Sequence, residues 1–296
     1  MSSIMTNVSA MTALKSLQST NKALENTQSR ISTGYRVAEA SDNAAYWSIA
    51  TTMRSDNKAL STVQDALGLG AAKLDTAYTA TNAAIEVVDE IKAKLVAAKE
   101  PGVDKTKIQS EITQLQEQLT GIASSASFSG ENWLSVDSSD SAYTASKKLV
   151  ASFNRASDGT VSVSTIDVDV GGTKLFDANA QSGILDTEFT TTGAGAVTVS
   201  VSTLDISASG LDDTDLDEMI SAVDSALADM TTSASDLGAA KSRVDMQKDF
   251  VSGLMDAIDR GVGTLVDADM NQESTRLQAL QVQQQLGIQA LSITSG

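Results

Sequence analysis

Cysteine and histidine are both absent from the 296 residues of this chain. Their absence excludes disulfides, thiolate zinc sites, the Ser-His-Asp triad and Cys-His nucleophiles. Asp, Glu, Lys, Tyr and Ser remain as possible catalysts, but catalysis is disfavoured. We therefore predict no enzymatic activity, no catalytic residue, no cofactor and no metal. A chain without cysteine is also indifferent to the redox state around it, which suits a protein that leaves the cell.

Proline, aromatic residues and cations are scarce. The single proline favours long uninterrupted helices, because proline breaks helices, and the 4% of aromatic residues imply a mainly aliphatic core. Lys and Arg number 21 against 38 Asp and Glu, and this net charge of −17 argues against binding to nucleic acid or anionic membranes. No apolar run reaches about 18 residues, so we expect no membrane insertion. Residues 1–13 lack the pattern of a secretory signal, so any export uses another route.

Apolar residues at heptad spacing predict three long helices. The first covers residues 44–98, and the pattern resumes over residues 108–122 after a turn at Pro101-Gly102, which predicts an antiparallel hairpin. The third covers residues 216–265. Each stripe is either a core within the chain or a contact between subunits, and the sequence leaves both open. The predicted rod core comprises Ile49, Met53, Leu60, Leu67, Leu74, Val88, Leu227, Val244, Val251 and Ile258.

The middle of the chain differs in composition. Over residues 128–210, Ser, Thr, Gly, Asp and Val dominate, and residues 161–164 and 197–201 alternate apolar and polar side chains as half-buried strands do. Glycine pairs punctuate these runs as turns. The fold class that follows is mainly α, a long helical rod with terminal helices and a small inserted β-rich domain.

Both ends of the chain carry an amphipathic stripe. Residues 1–32 and 270–296 have polar remainders rich in Gln, Asn, Ser and Thr. An isolated amphipathic helix has nowhere to bury its apolar face, so each end needs a partner: the other end, another subunit, or both. The predicted assembly interface comprises Ile4, Val8, Met11, Leu17, Leu24, Ile31, Leu277, Leu280 and Leu291.

Three local features predict helix ends. Gly34 is a helix C-cap or a hinge, and we favour the cap. Ser41, followed by Asp42, predicts the N-cap of the next helix. The acidic residues from Asp212 to Glu218 coincide with a helix start, where the helix dipole favours negative charge. We expect them to form a solvated acidic face.

Five stretches carry a resemblance to a known family. The N-terminal half contains RISTGYRV at 30–37, ASDNAA at 40–45 and ASFSGENWL at 126–134, and the C-terminal part contains VGTLVDADM at 262–270 and QQQLGIQALSI at 283–293. Together they resemble the two terminal signatures of bacterial flagellins, most closely those of the alphaproteobacterial type. The resemblance covers about residues 1–140 and 211–293. Two departures are Tyr46-Trp47, where the family usually has glycine nearby, and the end at Gly296, before a usual short apolar stretch. The end is either natural or clipped.

The resemblance implies a domain organisation. Residues 1–40 and 268–296 would form an inner core of paired terminal helices. Residues 41–140 and 211–267 would form a helical rod with a short β element, and residues 141–210 a variable outer β-rich domain. The implied function is a secreted, extracellular structural subunit that self-polymerises through its terminal helices into the helical tube of the flagellar filament, used in motility.

The same resemblance implies partners and alternatives. The expected partners are many identical subunits, the flagellar type III export machinery with a chaperone, the filament cap and the hook-junction proteins. Two other functions stay open: a flagellin-like surface protein that binds glycans, and a hook–filament junction protein.

Many flagellins are recognised by a vertebrate innate immune receptor through an Arg, a Leu and a Glu on the first two rod helices. Aligning those helices places Glu90 at the Arg position and Lys94 at the Leu position, while Glu111 keeps the acidic residue. We expect this receptor epitope to be lost, because one charge is reversed and an apolar anchor becomes a cation.

Overall fold

The computed structural model describes the backbone of residues 8–295 and the side chains of residues 8–293. This part of the chain holds five helices: α1 (Val8–Thr33), α2 (Ala44–Ala98), α3 (Lys105–Ser125), α4 (Asp213–Val266) and α5 (Met270–Ser295). Its strands are β1 (Ser127–Phe128), β2 (Glu131–Asn132), β3 (Ser135–Val136), β4 (Ser146–Arg155), β5 (Val161–Asp169), β6 (Phe176–Asp177), β7 (Phe189–Thr190) and β8 (Thr198–Val199). The predicted fold class, mainly α with a β-containing middle, is confirmed.

The described residues form two compact units. The first contains residues up to Ala59 together with those from Gly253 onward, and the second contains Leu60–Ser252. Both α2 and α4 contribute residues to each unit. Residues 141–210 belong to the second unit together with the helices around them. The division between the two units falls inside α2 and inside α4, whereas the boundaries predicted at residues 40 and 268 lie near the breaks before α2 and α5.

In the second unit α2 and α4 run antiparallel, and three ion pairs mark their register. Lys99 pairs with Asp217, and one heptad along each helix, in opposite directions, Lys92 pairs with Asp224. Further on the polarity reverses, and Lys241 of α4 binds Asp75 of α2. The ammonium group of Lys241 therefore stays at the interface of α2 and α4, where the Asp75 carboxylate balances its charge. Each exposed pair contributes about 0.2–1 kcal/mol, and the set penalises a register shift.

Most of the predicted rod core is buried in the single chain. Leu60, Leu67, Leu74, Val88, Val244 and Val251 are buried, and Met53, Leu227 and Ile258 are half-buried. Ile49 differs, because its side chain is 47% exposed. The heptad pattern continues through Ile49 although the single chain places no packed layer over it. Ile49 is therefore not part of the core within one chain.

The turn predicted at Pro101-Gly102 separates α2 from α3. Gly102 has a φ of 86°, a left-handed conformation that glycine adopts without strain. Asp104 then caps α3, accepting a hydrogen bond of 3.1 Å from the backbone N–H of Thr106. On α3, Ile112 and Leu119 are fully buried. The expected helical hairpin is thus formed by a short connection with a defined cap.

The 126–134 motif builds the exit from α3. Gly130 sits in the turn between β1 and β2 with a φ of 80°. The Asn132 side chain donates to the carbonyl of Ala123 at 2.7 Å and accepts from the N–H groups of Leu134 and Ser135. Trp133 and Leu134 are buried. One amide therefore joins the end of α3 to the start of the middle region.

Two-stranded pairs make up the β structure that the described residues contain. The longest pair is the antiparallel hairpin of β4 and β5, in which Ile166 and Val168 are buried while Val161 and Val163 are exposed. Gly159, with a φ of 87°, lies in its turn. The strand predicted at 197–201 is shorter in the structure, where β8 pairs only two residues with β7.

Two predictions about polar residues are wrong. Asn43, and not Ser41, caps α2, because its Oδ1 accepts the N–H of Tyr46 at 3.1 Å. The acidic start of α4 is only partly solvated: Asp215 is fully buried and accepts the N–H of Gly195 at 2.8 Å. Asp212 caps the helix by accepting the N–H groups of Thr214 and Asp215. Backbone donors that the sequence does not reveal explain both differences.

A half-buried carboxylate, Glu131, joins three elements of the second unit. Its oxygens lie 2.5 Å from Nζ of Lys73 on α2 and 2.8 Å from Nζ of Lys147 on β4. Burial alone would raise the pKa of Glu131. The ion pairs with Lys147 and Lys73 outweigh burial and lower the pKa to about 2. The folded state therefore favours the ionised carboxylate.

The paired Glu131 predicts an acid-sensitive contribution to stability. Because the pKa falls from 4.5 to about 2 on folding, the contribution is present above pH 4.5 and is lost as the pH falls toward 2. Glu131→Gln should lower the free energy of unfolding at pH 7 by about 1–2 kcal/mol, allowing for solvent screening. Urea unfolding at pH 7 and pH 2.5 measures this. A deficit of equal size at both pH values would contradict the ion pairs.

Candidate assembly site

The two terminal helices pair with each other in the first unit. Arg30 of α1 meets Glu273 of α5, and further along Asn21 accepts a hydrogen bond from Gln284 at 2.8 Å. The order of these contacts makes the pair antiparallel. At Gly287 an added Cβ would lie 3.1 Å from the Leu17 side chain, so the glycine allows close approach of the helices. The other end of the chain is therefore one partner of each terminal stripe.

An ion pair between Arg30 and Glu273 joins the two terminal helices. Arg30 Nη1 donates to Glu273 Oε1 at 3.2 Å, and Glu273 is only 5% exposed. Its second oxygen, Oε2, is buried and has no hydrogen-bond partner within the described residues. Glu273 lies in the first turn of α5, where the helix dipole favours negative charge. A buried carboxylate of this kind depends on its cation.

The two terminal signatures meet where α1 and α4 end. Gly34 ends α1 with a φ of 76° and donates its N–H to the carbonyl of Arg30, as expected of a C-cap. The Gly34 carbonyl then accepts the N–H of Ala268 at 2.9 Å. Next to it Tyr35 forms an antiparallel bridge with Asp267. Residues 30–37 and 262–270, distant in sequence, thus form one continuous backbone contact.

A small apolar cluster supports this junction. Val37, Ala50, Val262 and Val266 are buried together, and Met53, Ile258 and Leu265 pack against them. The Arg36 guanidinium donates a hydrogen bond of 2.9 Å to the carbonyl of Leu265. It thus supplies a partner for one of the backbone carbonyl groups at the end of α4. The motif residues therefore fix the start of α2 against the end of α4.

Pairing only partly covers the predicted assembly residues. Leu280 is buried, and Leu17, Leu24, Ile31, Leu277 and Leu291 are half-buried. Val8 and Met11 remain exposed, Val8 by 73%. Ile4 lies outside the described residues. The stripe thus divides into residues that face the other helix and residues that stay in contact with solvent.

Further apolar residues on the paired helices are exposed, and they are not among the predicted assembly residues. They are Leu14 on α1 and Val282, Leu286, Ile288 and Ile293 on α5. The spacing of the apolar residues between 282 and 293 could have predicted them, because these residues occur on more than one side of a helix. A helix with two apolar sides needs two partners, and pairing in one chain supplies one.

The start of α2 is a third exposed apolar surface. Every residue from 44 to 49 is exposed, including Tyr46, Trp47 and Ile49. Tyr35 lies nearby in sequence. The guanidinium of Arg54 lies 5.0 Å from the centroid of the Tyr35 ring, at the distance of a cation–π contact. Contiguous exposed apolar side chains in a folded chain mark surfaces of interaction.

Comparison with known proteins matches both halves of this site. Residues 4–139 match the bacterial flagellin N-terminal helical region, and residues 220–295 match the bacterial flagellin C-terminal helical region. The chain belongs to the flagellin family. Flagellin C of Rhizobium meliloti strain 1021 is 54% identical over 312 residues, which cover 100% of this chain and 96% of that protein. A flagellin of Brucella melitensis is 51% identical over 296 residues, with coverage of 100% and 96%.

Flagellin A of Rhizobium meliloti strain 1021 is 47% identical over 385 residues, covering 100% of this flagellin and 97% of its relative. This flagellin is a structural subunit of the flagellar filament, an extracellular appendage built by polymerisation of identical subunits. Its relatives are structural proteins. No helix in residues 8–295 combines the length and apolar character required to span a bilayer.

Proposed function

We propose that this flagellin polymerises through its paired terminal helices, with the apolar residues that pairing leaves exposed buried against neighbouring subunits. The observation that carries the proposal is the division of the terminal stripes, in which Val8, Met11 and Leu286 stay exposed after α1 and α5 have paired. Burying about 1,000 Å² of apolar surface would contribute on the order of 25 kcal/mol before ordering costs. Such contacts join two different surfaces of neighbouring subunits. A contact of this heterologous kind, repeated without closing into a ring, produces an open helical filament.

The proposed positions in the filament follow the domain organisation implied by the sequence. Residues 1–40 and 268–296 form the inner core, residues 41–140 and 211–267 the rod, and residues 141–210 the outer part. Ile49, exposed in the single chain, then belongs to a contact between subunits. The net charge of −17 keeps finished filaments soluble and mutually repelling.

The proposed route and partners follow from membership of the family. The chain is secreted through the flagellar export machinery with a chaperone, and it meets the hook-junction proteins and the filament cap. We also propose that it has no enzymatic activity, which the absence of histidine and cysteine supports.

Trp47 offers a direct assay of assembly. The chain has two tryptophans, of which Trp133 is buried and Trp47 is 38% exposed. In a Trp133→Phe background, seeded polymerisation should shift the Trp47 emission to shorter wavelength, because the indole leaves water. Fluorescence, sedimentation and negative-stain microscopy of the same samples measure this. Trp47→Phe, which keeps the buried Trp133, is the matched control and should show little shift.

The outcomes of this assay separate the candidate functions. Long uniform filaments with shifted emission support the proposal. Filaments with unchanged Trp47 emission would show that the start of α2 is not part of the contacts between subunits. Seeded samples that stay monomeric, or that bind glycans without elongating, would contradict the proposed polymerisation.

The receptor positions lie in an ionic cluster of the second unit. Nζ of Lys94 lies 2.7 Å from Oε2 of Glu111 and 3.6 Å from Oε1 of Glu90. We propose that this surface does not support receptor binding, because the cation sits where an apolar anchor would be and carboxylates flank it. Purified monomer should give little activation of a receptor reporter cell. Strong activation, comparable with an epitope-bearing flagellin, would contradict this.

A further inference from the structure

A cavity of about 450 Å³ in the second unit has an acidic lining. One wall is a face of α4 with Asp229, Asp236 and Arg243, and the other is the end of β5 with Asp167 and Asp169. Four carboxylates therefore surround the cavity against one guanidinium. Within the described residues no ion pair reaches any of the four. The lining of the cavity thus carries an excess of negative charge.

A second, independent feature of the same cavity is Ser233. It lines the cavity between Asp229 and Asp236, is 2% exposed, and its hydroxyl oxygen has no hydrogen-bond partner in the described part of the chain. Leaving a buried hydroxyl without a partner costs about 1–3 kcal/mol, and most buried hydroxyls therefore have a hydrogen-bond partner. The hydroxyl oxygen and the carboxylates all accept hydrogen bonds. The ligand they fit is a donor with positive charge.

We propose that this cavity binds a lysine or arginine side chain of a neighbouring subunit in the filament. The inference rests on the proposed function, because it requires the chain to polymerise. Each copy carries −17, so copies repel unless cations of one meet carboxylates of the next. A directly ligated metal fits less well, since no three acidic side chains of residues 8–293 lie close enough to hold one. The end of a long cationic side chain fits the volume and the acceptors.

Neutralising carboxylates of the cavity should change assembly in the opposite direction to neutralising carboxylates elsewhere on the surface. If carboxylates only add repulsion between copies, neutralising two of them should ease assembly. If Asp229 and Asp236 bind a cation of the next subunit, Asp229→Asn/Asp236→Asn should weaken assembly. The matched control is Asp249→Asn/Asp256→Asn, which removes the same charge from exposed positions of α4 that do not line the cavity.

The experiment measures the critical concentration for elongation on unaltered seeds, in buffer with EDTA, at low and high salt. We expect Asp229→Asn/Asp236→Asn to raise the critical concentration about fivefold or more at low salt, with a smaller ratio at high salt, where charge pairs are screened. The control double variant should assemble as well as the unaltered chain or better. Circular dichroism of the monomers checks that both variants fold.

Three results would overturn the inference. The first is a critical concentration for the cavity variant equal to or below that of the control. The second is a difference between the two double variants that is absent in EDTA and appears only when EDTA is replaced by Mg²⁺, which would assign the carboxylates to a metal. The third is failure of the unaltered chain to elongate on its own seeds, which would overturn the proposed function as well. Normal elongation with an indifferent cavity variant removes this inference alone.

Discussion

Deleting residues 1–32 is expected to abolish filament growth and to leave a folded, soluble monomer. The deletion removes α1 almost completely, and with it both the face that packs on α5 and the exposed residues Val8, Met11 and Leu14. Elongation then loses the apolar contacts that drive it. The unit of residues 60–252 keeps its core, because its buried residues pack within that unit. Sedimentation after seeding, with circular dichroism of the monomer, measures both effects.

Point variants separate pairing within the chain from contact between chains. Met11→Gln/Leu14→Gln changes two exposed side chains and spares the half-buried residues that face α5. We expect it to impair elongation without changing the melting of the monomer. Ser16→Gln, at an exposed polar position of the same helix, is the control. Sedimentable filaments from the 1–32 deletion would contradict the proposed assembly mechanism.

Replacing Arg30 by methionine is expected to separate the terminal helices. Glu273 would keep its buried position without a cation, and breaking a buried ion pair in this way costs about 3–5 kcal/mol. We therefore expect α1 and α5 to open more often. Amide hydrogen exchange in both helices should accelerate by on the order of 10²-fold or more.

A double variant tests whether the opening of the helices is caused by the unpaired charge of Glu273. Arg30→Met/Glu273→Met removes both partners and leaves an apolar contact of similar volume, which is often neutral or stabilising relative to a buried pair. Exchange in α1 and α5 should return toward that of the unaltered chain. If the single variant is as well protected as the unaltered chain, the ion pair does not hold the helices. If the double variant is as open as the single, the loss has another cause.

The helices could be predicted from the sequence because their signal is local. Heptads of apolar residues repeat within each helix, and Pro101-Gly102 punctuates them, so α2, α3 and α4 were expected close to their observed bounds. Ile49 has the heptad spacing of a core residue but is exposed. The periodicity of one helix does not tell where its covering neighbour stops, and Ile49 lies where none covers it in the single chain.

The buried carboxylates could not be predicted, because their partners are distant or are backbone groups. Asp177 is fully buried, and its Oδ2 lies 2.9 Å from Nζ of Lys174 and 2.7 Å from the Ser182 hydroxyl. Burial alone would raise the pKa of Asp177, but these donors and the N–H of Ser138 hold it well below its usual range. Sequence composition offers only the common expectation that aspartates are solvated.

Only part of the candidate site, and none of its geometry, could be predicted from the sequence. The stripes at both ends identified Leu17, Leu24 and Leu280 as apolar residues in need of a partner. Whether the partner was the same chain or another could not follow from periodicity, since both bury the same face. The ion pair between Arg30 and Glu273 decides for pairing within the chain and leaves the opposite faces open.

The hydrogen bond between Gly34 and Ala268 has a consequence for the order of folding. Contacts between residues so far apart in sequence have a high contact order, and they form late because a long loop must close first. Whichever end of the chain emerges first into a folding-permissive space, its terminal helix waits for the other end. The α2–α3 hairpin, closed by a short turn, forms without that delay. The surfaces that we propose for assembly are thus completed last, after the α2–α3 hairpin has formed.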